Sequence, residues 1–451
     1  MSKNNRNLRV IIFLCLFFFN CIVLGKNNEH NGQPYHSFKE LNAAAHKNNA
    51  KAQFELAMRY FLGKGVIQNQ VKAFKWFKKS AELGNTFAQN SLALTYRYGK
   101  GVNKNLDLAF YWDTKAAIQG DQDSQESLGH CYENGIGVEP DYVKAVCWYE
   151  KAANNGNSLA QFSLGRCYRY GIGVEKTEQN ISQAVYWFQK AADQGFVFAE
   201  CAVGSCYEEG NGIEKDPIKA VYWYEKAANN GNARAQFLLG RCYRNGIGVE
   251  KNNKKAFECF KNAAEQGESL SQYNLAMHYA FGLGIEQNIS QAVYWYQKSA
   301  DQGFVLAQYE IGSRYTTGNG IEEDPTKAVI WYEKAALQGD SEAQYELAKC
   351  FATGTGITKD DDKSFYWYQM AANKGNTSAQ SELGTCYYNG FGVKQDYVQA
   401  VFWYKQAADL GFYVAQYNLG TCYENGLGVE KDTVKAAYWY QQAANQGFNF
   451  A

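Results

Sequence analysis

Net charge is the first thing this sequence lacks, since its 45 Lys and Arg residues balance its 45 Asp and Glu residues. A chain without net charge has no global field that would attract nucleic acid or an anionic membrane surface, so recognition by charge must be local. After residue 25 there is also no apolar run long enough to span a membrane. We therefore expect no nucleic-acid partner, and membrane contact only through the N-terminal segment.

Motifs that carry catalysis or bind metals are also missing. H-E-x-x-H, G-x-S-x-G and C-x-x-C do not occur, and the chain has only 5 histidines. The repeated G-x-G, as at residues 63–65, lacks the third glycine and the lysine of a nucleotide-binding loop. Acidic loops such as residues 322–324 fit helix capping better than calcium binding. We expect no catalytic residues, no metal and no cofactor.

The first 25 residues differ from the rest of the chain. Lys3, Arg6 and Arg9 precede an apolar run over residues 10–24, and the small Val23 and Gly25 suit a cleavage site. This pattern predicts a secretory signal peptide over residues 1–25, with an uncleaved N-terminal anchor as the alternative. Under either reading the remainder is exported, to the periplasm or the extracellular medium. Residues 26–36 are polar, and we predict a disordered lead-in there.

The most regular feature of the sequence is the spacing of its tryptophans. All ten recur at intervals of 36 residues, with one interval of 39 and one of 72: Trp76, Trp112, Trp148, Trp187, Trp223, Trp295, Trp331, Trp367, Trp403 and Trp439. Aligned on this spacing, the chain contains eleven copies of one unit, beginning at Ala52, Ala88, Ser124, Ala160, Ala199, Ala235, Ser271, Ala307, Ala343, Ala379 and Ala415. A period of this length indicates a solenoid.

Each unit has the pattern of two amphipathic helices. In the eleventh, Ala415, Leu419 and Tyr423 share one face of a first helix, Trp439 lies on a second, and Gly426 falls between them. We expect each tryptophan to fill the space between hairpins. Asp or Asn precedes every second helix and predicts its N-cap: Asn69, Asn105, Asp141, Asn180, Asp216, Asn252, Asn288, Asp324, Asp360, Asp396 and Asp432. The extra residues of the fourth unit, within 175–179, are predicted to lie in the loop before its cap.

The motifs A-Q-x-x-L-G-x-x-Y, G-x-G-V and K-A-x-x-W-Y-x-K-A-A resemble the Sel1-like repeat, a relative of the tetratricopeptide repeat. The resemblance implies an all-α, right-handed α/α superhelical solenoid of eleven hairpins over residues 52–451. Residues 37–51 align with a second helix and read as an N-terminal capping half repeat, whereas no cap follows Leu419 and Trp439. The implied role is a non-catalytic scaffold for protein complexes. The disulfides of the secreted cysteine-rich branch are not implied, because alanine stands at their positions, as at Ala415 and Ala444.

Cysteine occurs mainly at one repeat position: Cys131, Cys167, Cys206, Cys242, Cys350, Cys386 and Cys422. Equivalent positions in adjacent hairpins should lie about 10 Å apart, whereas a disulfide needs Cα atoms within about 7 Å. We therefore expect small buried thiols, which pack like alanine. Cys131 with Cys147 and Cys242 with Cys259 face each other within one hairpin, and these two pairings stay open.

By the same resemblance, the first helices line a concave face that would bind a partner. The candidate residues alternate in charge and aromatic character while the structural positions repeat: Phe162, Arg166, Arg169, Tyr170, Phe237, Arg241, Arg244, Tyr273, Tyr309 and Tyr345. Arginine binds carboxylates bidentately, so the expected ligand is an acidic peptide or a free C-terminal carboxylate. A solvated face with neutralising neighbours is the alternative. The competing functions are a hydrolase or cell-wall-modifying enzyme, and a glycan or peptidoglycan recognition module using aromatics such as Tyr309 and Tyr345.

Overall fold

The computed structural model describes residues 37–446, and within them it contains 23 α-helices and no β-strand. The predicted signal peptide and lead-in lie outside the described residues. The helices are α1 Phe38–His46, α2 Ala50–Leu62, α3 Gln70–Glu82, α4 Thr86–Tyr98, α5 Leu106–Ile118, α6 Gln122–Asn134, α7 Tyr142–Asn154, α8 Ser158–Tyr170, α9 Glu178–Asp193, α10 Val197–Glu209, α11 Pro217–Asn229, α12 Ala233–Asn245, α13 Asn253–Glu265, α14 Ser269–Phe281, α15 Ile289–Asp301, α16 Val305–Thr317, α17 Pro325–Leu337, α18 Ser341–Thr353, α19 Asp361–Asn373, α20 Thr377–Asn389, α21 Tyr397–Asp409, α22 Tyr413–Asn425 and α23 Thr433–Ala444.

The helix ends follow from local chemistry. Asn49 caps α2 by accepting the backbone N–H of Ala52 at 3.0 Å, so the first helix begins two residues before the first alanine of the repeat. At its other end, Gly63 takes the left-handed conformation, with φ of +74°. The second glycine of most G-x-G motifs has a packing role: a Cβ on Gly137 would collide with the backbone of Leu106 in the preceding hairpin, whereas Gly65 of the first motif has open space around it.

All the predicted N-caps of the second helices are confirmed except Asn180. The cap of α9 is Thr177, whose hydroxyl accepts the N–H of Asn180 at 3.2 Å. The prediction that the extra residues lengthen the loop was therefore wrong, because α9 has 16 residues where the other second helices that follow a complete first helix have 12 or 13. A hydroxyl cap three residues earlier allows the insertion to add nearly one helical turn.

The described part of the chain divides into two compact units, with the division between residues 199 and 200. Within each unit, first and second helices pack as hairpins and consecutive hairpins pack on each other. Cores such as Ala145, Tyr149, Ala160 and Leu164 in the first unit are built by a second helix and the first helix that follows it. The eleven-hairpin all-α solenoid is confirmed.

The largest fully buried side chain of most hairpins is the aromatic residue directly after the tryptophan. Tyr149 and Tyr224 are 0% exposed, whereas Trp148 and Trp223 are half-buried at the edge of the core. The glycine beside the central leucine makes room for this ring, since a Cβ on Gly129 would lie 2.5 Å from a ring carbon of Tyr149. The tryptophans do pack between hairpins as expected, as Trp187 does against the core of the preceding hairpin, but they are half-buried there and the aromatic residue that follows most of them fills the core.

The C-terminal end differs only in its last helix. Without a C-terminal cap, the helix faces around Leu419 and Trp439 were expected to be partly uncovered, but Leu419 is fully buried. Tyr440 is half-buried, whereas its equivalent Tyr404 is 2% exposed. At the other end, α1 packs through Leu41 and Ala45 onto α2, in the position of a preceding second helix. None of the helices within residues 37–446 combines the length and apolar character of a membrane span.

A ladder of buried glutamines links successive hairpins. At the second position of most repeats, a glutamine donates its Nε2 to a carbonyl of the preceding second helix, as Gln308 does to Ala300 at 3.2 Å. Its Oε1 accepts from an amide at the end of its own hairpin, as from Gln338 at 2.8 Å. Gln53, Gln344 and Gln380 have no partner for Oε1 among the described residues, because Leu83, Lys374 and Leu410 replace the amide donor.

Candidate partner-binding site

The candidate residues lie on one face of the first helices. Positions two, three, six and nine after the first alanine fall within an arc of about 120° on a helix. We call the surface formed by these positions the variable face. In α12 they are Phe237, Leu238, Arg241 and Arg244, and in α16 they are Tyr309, Glu310, Ser313 and Thr316. Their chemistry changes from repeat to repeat while the core positions stay nearly constant.

The aromatic residues of the variable face stack on the core rings beneath them. Phe162 lies 5.7 Å from Phe188 between ring centroids, and Tyr309 lies 6.0 Å from Tyr332. Both are half-buried, as are Tyr273 and Tyr345. Phe237 is 8% exposed, so the structure assigns it to the core, where it cannot grip a ligand. The remaining rings are partly exposed at the surface.

Two of the predicted arginines are already paired within the array. Arg166 lies 3.3 Å from Glu133 of the preceding hairpin, and Arg241 is bonded to Glu208 at the equivalent position. Each glutamate also accepts a hydrogen bond from a core tyrosine, as Glu208 does from Tyr224 at 2.8 Å. These Tyr–Glu–Arg chains tie the arginines to the packing between repeats, a pairing that sequence spacing alone did not reveal.

The other two predicted arginines have different surroundings. Arg244 donates to the side-chain oxygens of Asn274 and Asn245, and burial, with the nearby Arg241 charge, lowers its pKa. The guanidinium of Arg169 lies 5.7 Å from the ring centroid of Tyr170, which is 60% exposed. Arg244 is therefore bonded to neutral amides, unlike Arg166 and Arg241.

Position three carries functional candidates that sequence reasoning missed. Glu310, Glu346 and Glu382 occupy it in three consecutive repeats, and all three are half-buried. Burial raises the pKa values of Glu310 and Glu382, whereas Glu346 accepts a hydrogen bond from Lys349 at 2.9 Å. The recurrence of glutamate at one position in these repeats was the available signal.

The cysteines behave as packing residues. All ten between residues 37 and 446 are free thiols, so neither Cys131 with Cys147 nor Cys242 with Cys259 forms a disulfide. Burial raises the pKa of Cys242 to about 11 and that of Cys259 to about 12, which keeps both thiols protonated and unreactive near neutral pH. In the same part of the chain, no group of three or more His, Cys, Asp or Glu residues is arranged to hold a metal ion.

Comparison with known families now identifies the fold. The model of the Sel1 repeat matches eleven consecutive segments: 50–85, 86–121, 122–157, 158–196, 197–232, 233–268, 269–304, 305–340, 341–376, 377–412 and 414–448. The chain belongs to the Sel1-repeat family. Sel1-repeat proteins are typically protein-interaction scaffolds, and no catalytic family is indicated for this one.

Solved structures agree with this assignment. A protective antigen present in uropathogenic Escherichia coli strains, which displays an SLR fold, is 36% identical to this Sel1-repeat chain, with a TM-score of 0.77. That match covers 92% of this chain and 88% of the antigen. A Sel1 repeat protein from Oxalobacter formigenes is 30% identical, with a TM-score of 0.55, and the match covers 73% of this chain and 92% of that one. No curated protein matches the sequence.

Proposed function

We propose that this protein is an exported, non-catalytic scaffold that binds a protein or peptide on the variable face of its first helices. The observation that supports this most is the contrast between positions. Alanine, leucine and the core aromatic recur because they pack the hairpins, whereas the variable face changes between aromatic, acidic and basic side chains on the same backbone. Packing does not require that variation, and recognition of one partner does.

Export is the part of the proposal that rests on residues 1–25 alone. Their basic start, apolar run and small residues at the end fit a signal peptide. The buried free cysteines are compatible with an oxidising compartment, because their raised pKa values leave little thiolate to oxidise.

The arginines support an acidic ligand less strongly than the sequence predicted. Because Arg166 and Arg241 are paired with glutamates, replacing them should lower stability as well as any affinity. An acidic peptide or C-terminal carboxylate would therefore depend mainly on Arg244. Its guanidinium is bonded to asparagine oxygens, and a carboxylate could compete for those N–H groups.

Affinity capture with the full chain as bait tests the proposed function. The first variant carries Tyr309→Ser and Tyr345→Ser on the variable face. The matched control carries Tyr294→Ser and Tyr366→Ser on second helices, where both tyrosines are 50% exposed. The proposal predicts that the first variant fails to capture a partner that the control variant still captures. Both variants are compared at a temperature below their melting temperatures. Equal capture by both variants would contradict binding on the variable face.

A further inference from the structure

Three junctions between repeats of the second unit place a tyrosine beside a glutamate. Each pair combines position two of one first helix with position three of the next: Tyr273 with Glu310, Tyr309 with Glu346, and Tyr345 with Glu382. Burial raises the pKa of each tyrosine, and the charge of the paired glutamate raises it further. We call these three pairs the tyrosine–glutamate niches.

The glutamates of the outer two niches are half-buried and lack a cation of their own. Within residues 37–446, Glu310 and Glu382 make no hydrogen bond and no ion pair within 4 Å. The charge of Arg314 lowers the pKa of Glu310 against the effect of burial, but Arg314 is 8% exposed and donates to the carbonyl of Asn319 at 3.3 Å. A carboxylate that has lost part of its hydration without gaining a partner is costly, and a cation bound beside it would recover that cost.

Lys349 of this protein shows that an ammonium group can bind between a tyrosine and a glutamate on this surface. Its ammonium lies 5.2 Å from the ring centroid of Tyr345 and 2.9 Å from Glu346, and its charge lowers the pKa of Glu382 against the effect of burial. Cation–π contact and charge pairing thus act on one ammonium group. At the position of Lys349, the two preceding repeats carry Met277 and Ser313, so no lysine of those repeats lies over Tyr273 or Tyr309 in this way.

A second polar group is left unsatisfied at the end of this row. Ser381 stands at the position of the tyrosines in the next repeat and is 1% exposed. Its hydroxyl has no hydrogen-bond partner among the described residues. Ser381 is adjacent in sequence to Glu382, so the repeat at which the row of niches ends carries both an unpartnered buried hydroxyl and a carboxylate without an ion pair.

We propose that the tyrosine–glutamate niches bind the lysine or arginine side chains of an extended partner segment, one side chain per repeat. The proposal rests on the proposed scaffold function and names the partner's chemistry. First helices of neighbouring hairpins lie about 10 Å apart in a stack. A polyproline II segment rises about 9.3 Å per turn of three residues, so basic side chains at every third position would match the niches.

Synthetic peptides test this against the full chain, by fluorescence anisotropy at low salt. The probe is a labelled K-P-A-K-P-A-K-P peptide, compared with a peptide of the same composition whose lysines are adjacent, and with the glutamate version E-P-A-E-P-A-E-P. We expect the spaced basic peptide to bind most tightly. Glu310→Gln and Glu382→Gln should each weaken it about fivefold to tenfold, whereas Glu333→Gln, on an exposed second-helix position, should not.

Lys349→Ala provides a test with the opposite sign. Lys349 pairs with Glu346 of the second niche and lies over Tyr345 of the third, so its removal should open both niches to the spaced basic peptide and tighten binding severalfold. The control is Lys334→Ala, which removes one positive charge from a second helix, where Lys334 lies over Trp331. A gain limited to Lys349→Ala supports the niches, and an equal gain from both variants would overturn them.

The remaining outcomes separate this inference from the proposed function. If the array captures its partner through the variable face but prefers the acidic peptide, or binds neither, the niches are refuted while the scaffold function stands. If the spaced peptide binds and depends on Glu310, but capture does not involve the variable face, the proposed function fails and the niches remain.

Discussion

Replacing Leu410 with glutamine should stabilise the repeats around α20 and α21. Gln380 lacks a donor for its buried Oε1, and its Nε2 bond to Ala372 is long at 3.4 Å. Leu410 occupies the same repeat position as Gln338, which donates its Nε2 to the Oε1 of Gln308 at 2.8 Å. Gln308 is the equivalent of Gln380. A glutamine at position 410 would complete the ladder. Leu410 is 66% exposed, so little apolar burial would be lost.

The gain can be estimated from the hydrogen bond alone. A net intramolecular hydrogen bond contributes about 0.5–1.5 kcal/mol, and relieving an unsatisfied buried oxygen adds to this. We expect about 1 kcal/mol, which corresponds to about a fivefold rise in the protection of local amides. Because repeat arrays unfold locally, amide hydrogen exchange across α20–α22 measures this better than a global melt.

Leu337→Gln is the matched control for this prediction. The control makes the same leucine-to-glutamine change at Leu337, which is 71% exposed. There the neighbouring Gln338 already donates a hydrogen bond to Gln308. The control should leave protection unchanged. If Leu410→Gln protects α20 and α21 no more than Leu337→Gln protects its own repeat, the glutamine ladder does not stabilise the stack.

Two further predictions concern the core. Tyr224→Ala should cost about 3–5 kcal/mol, more than Trp223→Ala, because Tyr224 is fully buried and bonded to Glu208 while Trp223 is half-buried. Both changes should broaden or split denaturant unfolding, and a sharp transition at the wild-type midpoint for Tyr224→Ala would contradict this. Arg97→Ala should cost about 3–5 kcal/mol near pH 8 because it leaves buried Asp113 unpaired. Burial raises the pKa of Asp113 to about 7 although the Arg97 charge lowers it, and removing Arg97 should raise it further. Below these pKa values Asp113 is protonated in both folded proteins and no buried charge is left unpaired, so the cost should shrink near pH 5; equal costs at both pH values, measured by denaturant unfolding, would refute this.

The fold could be predicted because the same structural residues recur in nearly every copy of the repeat. The 36-residue spacing, the glycines and the capping residues each recur, so one unit explains most of the chain. The prediction failed where one copy departs from the others. At α9, Asn180 fits the repeat pattern, but Thr177 is the cap because the inserted residues favour helix over loop.

The candidate site was harder to predict because its side chains interact across repeats. The sequence shows Arg241, but not that Glu208, 33 residues earlier, already binds it. The sequence also draws attention to Trp223, because tryptophan recurs at a regular spacing, although the neighbouring Tyr224 is the residue that is fully buried in the fold. Contacts between equivalent positions depend on how closely hairpins stack, which periodicity leaves undefined.

Photocrosslinking tests the central claim, that the variable face binds the partner, most directly. A photoreactive amino acid would replace Tyr309 on the variable face or, in a second variant, Tyr294 on a second helix, and each full chain would be irradiated with the captured partner. The account predicts partner crosslinks from position 309 and none from position 294. Crosslinks from position 294 alone would place the partner on the second helices and contradict it.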